Sequence, residues 1–154
     1  EDGLQVLQEA GVPRDYPMHR HCFGGSVAQA RYWMETFPSS KIGVTGLVTY
    51  SYAWQVSQVV HAIDLDSLVL ETDAPHFVPQ KAKKNQEKCS FPGQVIHVGA
   101  KVAEIKKVSL VKVLEANIDN CQQIYSRYFE RRIEEDNVNL NVCKRMIIHY
   151  LGLN

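Results

Sequence analysis

Three things are scarce in this sequence: charge of one sign, long apolar runs and closely spaced cysteines. Lys plus Arg and Asp plus Glu number 17 each, so the formal net charge is zero. That balance excludes a strongly basic nucleic-acid protein, although a local basic patch remains open. No apolar run approaches the roughly 20 residues that a membrane-spanning helix needs, and the start carries no signal-peptide pattern. The four cysteines, Cys22, Cys89, Cys121 and Cys143, form no CxxC pair and no tight Cys/His zinc spacing. They read as reduced thiols of an intracellular protein, in cytoplasm or nucleus and not secreted. A starting methionine is also missing: the chain opens Glu1-Asp2-Gly3 and its first methionine is Met18. The expectation is that a leader has been removed or that the sequence is a piece of something longer.

What is present is ordinary globular material. Apolar residues make up 45% and charged residues 22% of 154 positions, enough for one domain with a proper core and too apolar for a disordered chain. Two kinds of segment alternate. Leu4, Leu7 and Ala10 sit at helical spacing before Gly11 and Pro13. Met18 to Phe23 reads as a strand running into a Gly24-Gly25 turn. Ser26 is a good N-cap for a helix carrying Val27, Ala30, Met34 and Phe37 on one face. Lys41 to Tyr50 is β-rich, and Ala53, Val56, Val60 and Ile63 restore the helical period. The unbroken run Leu68-Val69-Leu70 suits a parallel strand buried on both faces. Pro75 and Pro79 then open a loop that continues through a lysine-rich stretch to Gly93. Val95 to Ile105 and Leu110 to about Phe129 predict two further helices, and Cys143, Met146, Ile147 and Tyr150 a terminal one. Strands separated by helices mean right-handed crossovers and a parallel sheet, so the fold class is α/β. The domain reading is 1–129 for the α/β unit and 130–154 for a helical extension.

Ligands of parallel α/β folds gather at the C-terminal ends of strands. At the first such end stands His19-Arg20-His21-Cys22-Phe23-Gly24-Gly25. Histidines at i and i+2 of a strand share a face, so His19 and His21 could reach one metal; one packed and one surface histidine is the alternative. At another end stands Glu71-Thr72-Asp73-Ala74-Pro75. Two acids closing a buried strand are costly unless they meet a cation, and Asp73 is placed to ligate a metal or act as base on a water. A helix N-cap or a salt bridge is the alternative there. Gly43-Val44-Thr45-Gly46 offers no ligand, and its glycines read as close backbone approach.

Together these residues resemble a known family. His21-Cys22-Phe23-Gly24-Gly25 is similar to the H-C-F-[ST]-G element of the TatD-like metal-dependent deoxyribonucleases, and Ile42-Gly43-Val44-Thr45-Gly46 to their next strand. Leu70-Glu71-Thr72-Asp73-Ala74-Pro75-His76-Phe77-Val78-Pro79 resembles their E-T-D-[AS]-P-[YH]-[LF]-x-P signature. Val102-Ala103-Glu104-Ile105-Lys106 continues the resemblance. Asn120 ahead of Ile124-Tyr125 then falls where the family has N-x-x-x-[LF]-F. Phe91-Pro92-Gly93 and the His-Arg-His-Cys-Phe run are similar to the animal TatD domain-containing branch. The E-T-D-A-P element is specific, and the resemblance runs from about residue 3 to residue 129.

The resemblance implies a TIM-type (β/α)8 barrel, of which this chain would supply strands six to eight, and a two-metal site at its mouth. A complete barrel takes about 250 residues. It implies His21 and Asp73 as metal ligands, Asp73 also as the catalytic residue orienting the attacking water, and Glu71 with His19 as supports around them. Arg20, Lys81, Lys83 and Lys84 would face the nucleic-acid backbone, Lys81 to Lys88 forming a basic loop opposed only by Glu87; a solvated surface loop is the alternative reading. The implied cofactors are divalent metal ions (Mg, Mn or Zn), the implied partner is DNA or RNA as substrate, and no membrane is involved. The family's strand-one HxH, strand-four glutamate and strand-five histidine are absent, so the parent protein is expected to be a hydrolase of phosphodiester bonds and the 154-residue chain itself to be inactive. The alternative is a degenerate, non-catalytic module that binds nucleic acid or protein.

Overall fold

The computed structural model describes residues 2–84 and 86–136. Helix α1 (Asp2–Glu9) leads into strand β1 (His19–Arg20), helix α2 (Val27–Thr36), strand β2 (Lys41–Val44) and helix α3 (Trp54–Ala62). Strand β3 (Leu68–Leu70), the short helix α4 (Gln80–Lys84), α5 (Val95–Lys106) and α6 (Leu110–Asp136) complete the order. The strands form one parallel sheet in the order β1-β2-β3, with His19 beside Lys41 and Ile42 beside Leu68. This is the α/β arrangement that the alternating segments predict.

The helices form where the apolar period and the caps agree. Ser26 accepts from the Gln29 N–H while the Gln29 side chain accepts from the Ser26 N–H, a reciprocal cap that starts α2. Ile42, Val44, Leu68 and Leu70 project from the sheet into a core shared with Val59 and Val60 of α3, Val98 and Val102 of α5, and Val113 of α6. Each such side chain contributes roughly 1.5–3 kcal/mol by leaving water. The alternate residues His19, His21, Gly43 and Glu71 turn to the opposite face. The sheet therefore has a greasy side and a chemical side.

The strands are shorter than the sequence predicts, for identifiable reasons. β1 ends before Cys22, where the backbone swings to φ 45° and the Cys22 N–H leaves the ladder for the Glu71 carboxylate. β2 ends at Val44 because Thr45 caps a 3₁₀ turn, Gly46–Thr49, its hydroxyl accepting from the Leu47 N–H. Gly46 is required there, since a Cβ would overlap the Phe77 carbonyl oxygen. The lysine-rich stretch read as loop contains α4, whose first turn is closed by Lys83 N–H to the Pro79 carbonyl at 3.0 Å. Helix α6 runs on to Asp136, beyond the expected end near Phe129. The terminal helix expected around Cys143 to Tyr150 falls outside the described residues. Cys22, Cys89 and Cys121 are free thiols, and among the described residues no helix is long and apolar enough to cross a membrane.

The outer edge of β3 is covered by α6. Glu71 N–H bonds to Val44 O on the β2 side, so the Leu70 N–H and the Leu68 carbonyl face outward in a parallel ladder. Asn117 Oδ1 accepts from that Leu70 N–H at 2.7 Å, and Asn120 Nδ2 donates to Leu68 O at 2.8 Å and Leu65 O at 2.9 Å. Asn120 is 1% exposed, so both carbonyls would be stranded without it. Replacing Asn120 by alanine is expected to cost about 1–3 kcal/mol, measured as a lower urea midpoint with unchanged slope.

Candidate metal centre

Glu71 is the hub of the chemical face. Its carboxylate, 12% exposed, accepts from His21 Nδ1 at 2.6 Å and from the Cys22 N–H at 2.5 Å. His19 Nε2 faces the same carboxylate at 3.4 Å, is buried, and makes no hydrogen bond among the described residues. The other ring nitrogen, His19 Nδ1, lies 2.7 Å from the Tyr125 hydroxyl. Asp73 stands at the rim, Oδ1 3.3 Å from His21 Nε2, on a backbone turned to φ 52°. Ligand atoms of His19, His21 and Glu71 all fall within 4.8 Å of one another.

Local sequence explains the convergence. The i and i+2 spacing of His19 and His21 sends both rings to one side of β1, and Glu71 reaches them from the end of β3, two strands over, across Gly43 of β2. A Cβ on residue 43 would come within 2.6 Å of His19 Nε2 and would overlap the Glu71 carboxylate. Glycine at 43 therefore makes the room in which the two meet.

The electrostatics divide the histidines. Hydrogen bonding to Glu71, with the nearby Asp73 charge, raises His21 above its ordinary value of 6.5. Burial lowers His19, outweighing the attraction of Glu71. His19 is thus favoured neutral, and a neutral ring whose Nδ1–H donates to Tyr125 leaves Nε2 as a lone-pair donor. An orphaned buried nitrogen beside a carboxylate and a second imidazole is a donor set that suits a divalent transition metal.

The structure gathers four of the residues expected from the sequence and separates the others. His21, Glu71, His19 and Asp73 come together, with Glu71 and His19 inside the cluster of converging ligand atoms and Asp73 beside it. Arg20 points to the opposite face of β1, its guanidinium 5.3 Å from the Trp33 ring centroid and 5.8 Å from that of Phe23. The alternation that aligns His19 with His21 sends Arg20 toward the helix layer, on the face opposite the histidines. Lys81 and Lys83 lie exposed on α4, and the Lys84 side chain is outside the described residues. Two contributors were missed: the Cys22 N–H and Tyr125. Tyr125 had a readable signal, a hydroxyl standing where the family pattern ends in phenylalanine.

In the metal-free protein, NMR titration is expected to place the His21 midpoint above 6.5 and the His19 midpoint below it. The His21–Glu71 contribution to stability is then full below pH 6.5 and lost as pH rises through the raised His21 value. Gly43→Ala should push Glu71 and His19 apart, cost about 1–3 kcal/mol of stability, and return the His21 midpoint toward 6.5.

Residues 1–126 match the family described as TatD related DNase. The chain is 35% identical over 126 residues to the 3'-5' RNA nuclease TATDN2 of Homo sapiens, covering 82% of this chain and 16% of that protein. It is 28% identical over 127 residues to the uncharacterized metal-dependent hydrolase YabD of Bacillus subtilis, covering 81% and 47%. The crystal structure of the TatD homologue YjjV of Escherichia coli superposes with a TM-score of 0.67 at 29% identity, covering 79% of this chain and 44% of that one. The chain thus spans about half the length of these bacterial relatives. Signature, sheet and convergent donor cluster agree with this match, and the chain belongs to the TatD-related DNase family of metal-dependent hydrolases and nucleases.

Proposed function

We propose that this chain carries part of a divalent-metal centre that hydrolyses phosphodiester bonds of nucleic acid, DNA or RNA. The observation that carries the reading is the convergence of His19, His21 and Glu71 donor atoms within 4.8 Å, with a buried His19 Nε2 that makes no hydrogen bond among the described residues. His19 would hold the ion through Nε2, Glu71 through a carboxylate oxygen, and His21 through a ring nitrogen freed of its proton. Asp73 joins as a ligand at the rim. A bound divalent ion would supply a water of lowered pKa and offset charge on the phosphate. Asp73 Oδ1, beside His21 Nε2 and less buried than Glu71, is placed to accept a proton from the attacking water. Tyr125, accepting from His19 Nδ1–H, would leave Nε2 free for the ion. The name of the human relative supports RNA as a substrate and the family description supports DNA. Imidazole with carboxylate suits Mn or Zn better than Mg. The free thiols Cys22, Cys89 and Cys121 support a reducing, intracellular setting.

A two-metal site needs more donors than this cluster holds. Among the described residues the sheet has three strands where a TIM-type barrel has eight, and the bacterial relatives match over less than half their length. This supports the reading of the chain as strands six to eight of such a barrel, with the remaining ligands carried on others.

Calorimetry with Mn and Zn is expected to show one bound ion per chain, weakened about tenfold or more by Glu71→Gln and by roughly 10–100-fold by Tyr125→Phe. Absence of binding by the wild-type chain would sink the metal reading. The 154-residue chain should cleave labelled RNA or DNA no faster than background in either metal. Metal-dependent turnover abolished by Asp73→Asn would show instead that the centre is complete without further strands.

A further inference from the structure

One edge of the sheet is closed and the other is open. The outer edge of β3 is satisfied by Asn117 and Asn120 of α6, whereas among the described residues β1 has a neighbour on one side alone, β2. On that side the Lys41 N–H takes the Met18 carbonyl at 2.8 Å, so the His19 N–H and carbonyl point outward in a parallel ladder. The carbonyl accepts from the His21 N–H at 3.0 Å and keeps a second lone pair. Along this edge runs a groove of about 920 Å³ between α1 and α2, walled by Leu4, Leu7, Met18, Tyr32 and Trp33 among others. His19 and Arg20, on opposite faces of β1, both line it, so the groove straddles the strand edge. Val6 and Tyr32, which also line it, are 61% and 52% exposed. The buried Trp33 Nε1 makes no hydrogen bond among the described residues.

The chain carries a segment suited to that edge. Asn137-Val138-Asn139-Leu140-Asn141-Val142 alternates polar and apolar residues at every position, the period of a strand with one face on a core. It holds no charged residue, so seating it against apolar walls strands no ion away from water. It is also within reach. Helix α6 passes from the outer edge of β3, at Asn120, to β1, where the Tyr125 hydroxyl meets His19 Nδ1 at 2.7 Å, and it ends at Asp136. The stretch after Tyr125 covers roughly 16 Å at the helical rise, and a strand of this length spans about 20 Å, enough to return to the β1 edge. A second copy pairing through its own β1 would offer only 2 residues of strand. The family match stops at residue 126, so the segment is additional to the shared fold. We infer that residues 138–142 add to the free edge of β1 as a fourth strand, with Val138, Leu140 and Val142 seated in the groove between α1 and α2. Asn139 and Asn141 then fall on the side of His19 and His21, and the helical period of Cys143 to Tyr150 begins directly after the strand.

The test uses the 154-residue chain in EDTA, since metal takes no part in this contact. p-Benzoylphenylalanine in place of Tyr32 reads the occupant of the groove directly. Irradiation is expected to give a cross-link within one chain, on the peptide that contains residues 138–142. A cross-link between two chains that grows with concentration, or none to this segment, overturns the inference. Hydrogen exchange supplies a second reading. The amides of residues 18–20 and 138–142 should be protected together, and Leu140→Asp should speed the exchange of both by about tenfold or more. Amides of Ile42 and Leu68 that stay protected show that the core remains folded. Leu140→Val should keep the protection, and Asn139→Asp, which adds the same charge on the other face, should change it by less than about threefold. Trp54→Phe leaves Trp33 as the sole tryptophan, and in that background Leu140→Asp should raise acrylamide quenching while Asn139→Asp does not. Equal effects of the two aspartates overturn the fourth strand, because only one of its faces meets the groove.

Discussion

The carboxylate of Glu71 is the constraint around which the rest of this molecule is arranged. It takes a proton donor from His21 and another from the Cys22 backbone, and it faces Nε2 of His19 at 3.4 Å. A largely buried charge of this kind is tolerated only where such partners surround it. The demand propagates outward. β1 has to end at Cys22 so that its N–H can turn inward, and residue 43 has to be glycine so that carboxylate and imidazole can approach. The Tyr125 hydroxyl on α6 has to meet the far side of the His19 ring.

The two faces of the sheet divide stability from chemistry. Burial of Ile42, Val44, Leu68 and Leu70 against α3, α5 and α6 supplies the hydrophobic drive, while the opposite face concentrates groups that cost free energy to bury. Helix α6 serves both. Its Asn117 and Asn120 satisfy the outward groups of β3, and the same helix carries Tyr125 to the site. Tyr125 interrupts the helical dihedrals with φ −112° and ψ 22°, so the helix is irregular at the residue that touches His19. One helix therefore touches both the fold edge and the candidate metal centre.

Charge is distributed with the same economy. A chain of zero net charge still presents lysines on α4, and Lys83 lies on the buried Tyr50 ring. Arg20, the cation nearest the centre in sequence, is spent on packing against Trp33 and Phe23 instead.

Much was legible in the sequence because it is local. The 3.6-residue period of Val98 and Val102, the Ser26 cap and the apolar run 68–70 each depend on neighbours a few positions away, and the structure has helices and a parallel strand there. The Glu71-Thr72-Asp73-Ala74-Pro75 element marked the family for the same reason: its residues are contiguous. Strand ends were overrun, since the bend at Cys22 depends on a carboxylate 49 positions away. The sequence by itself determined the α/β class, through the order of its apolar periods, the family, through a contiguous motif, and the face shared by His19 and His21, through backbone alternation. Only the tertiary structure decided that Glu71 stands between the two histidines and that Tyr125 pairs with His19 across 106 positions. Such contacts are set by how separate elements pack, and no local pattern encodes which distant partner a side chain will meet.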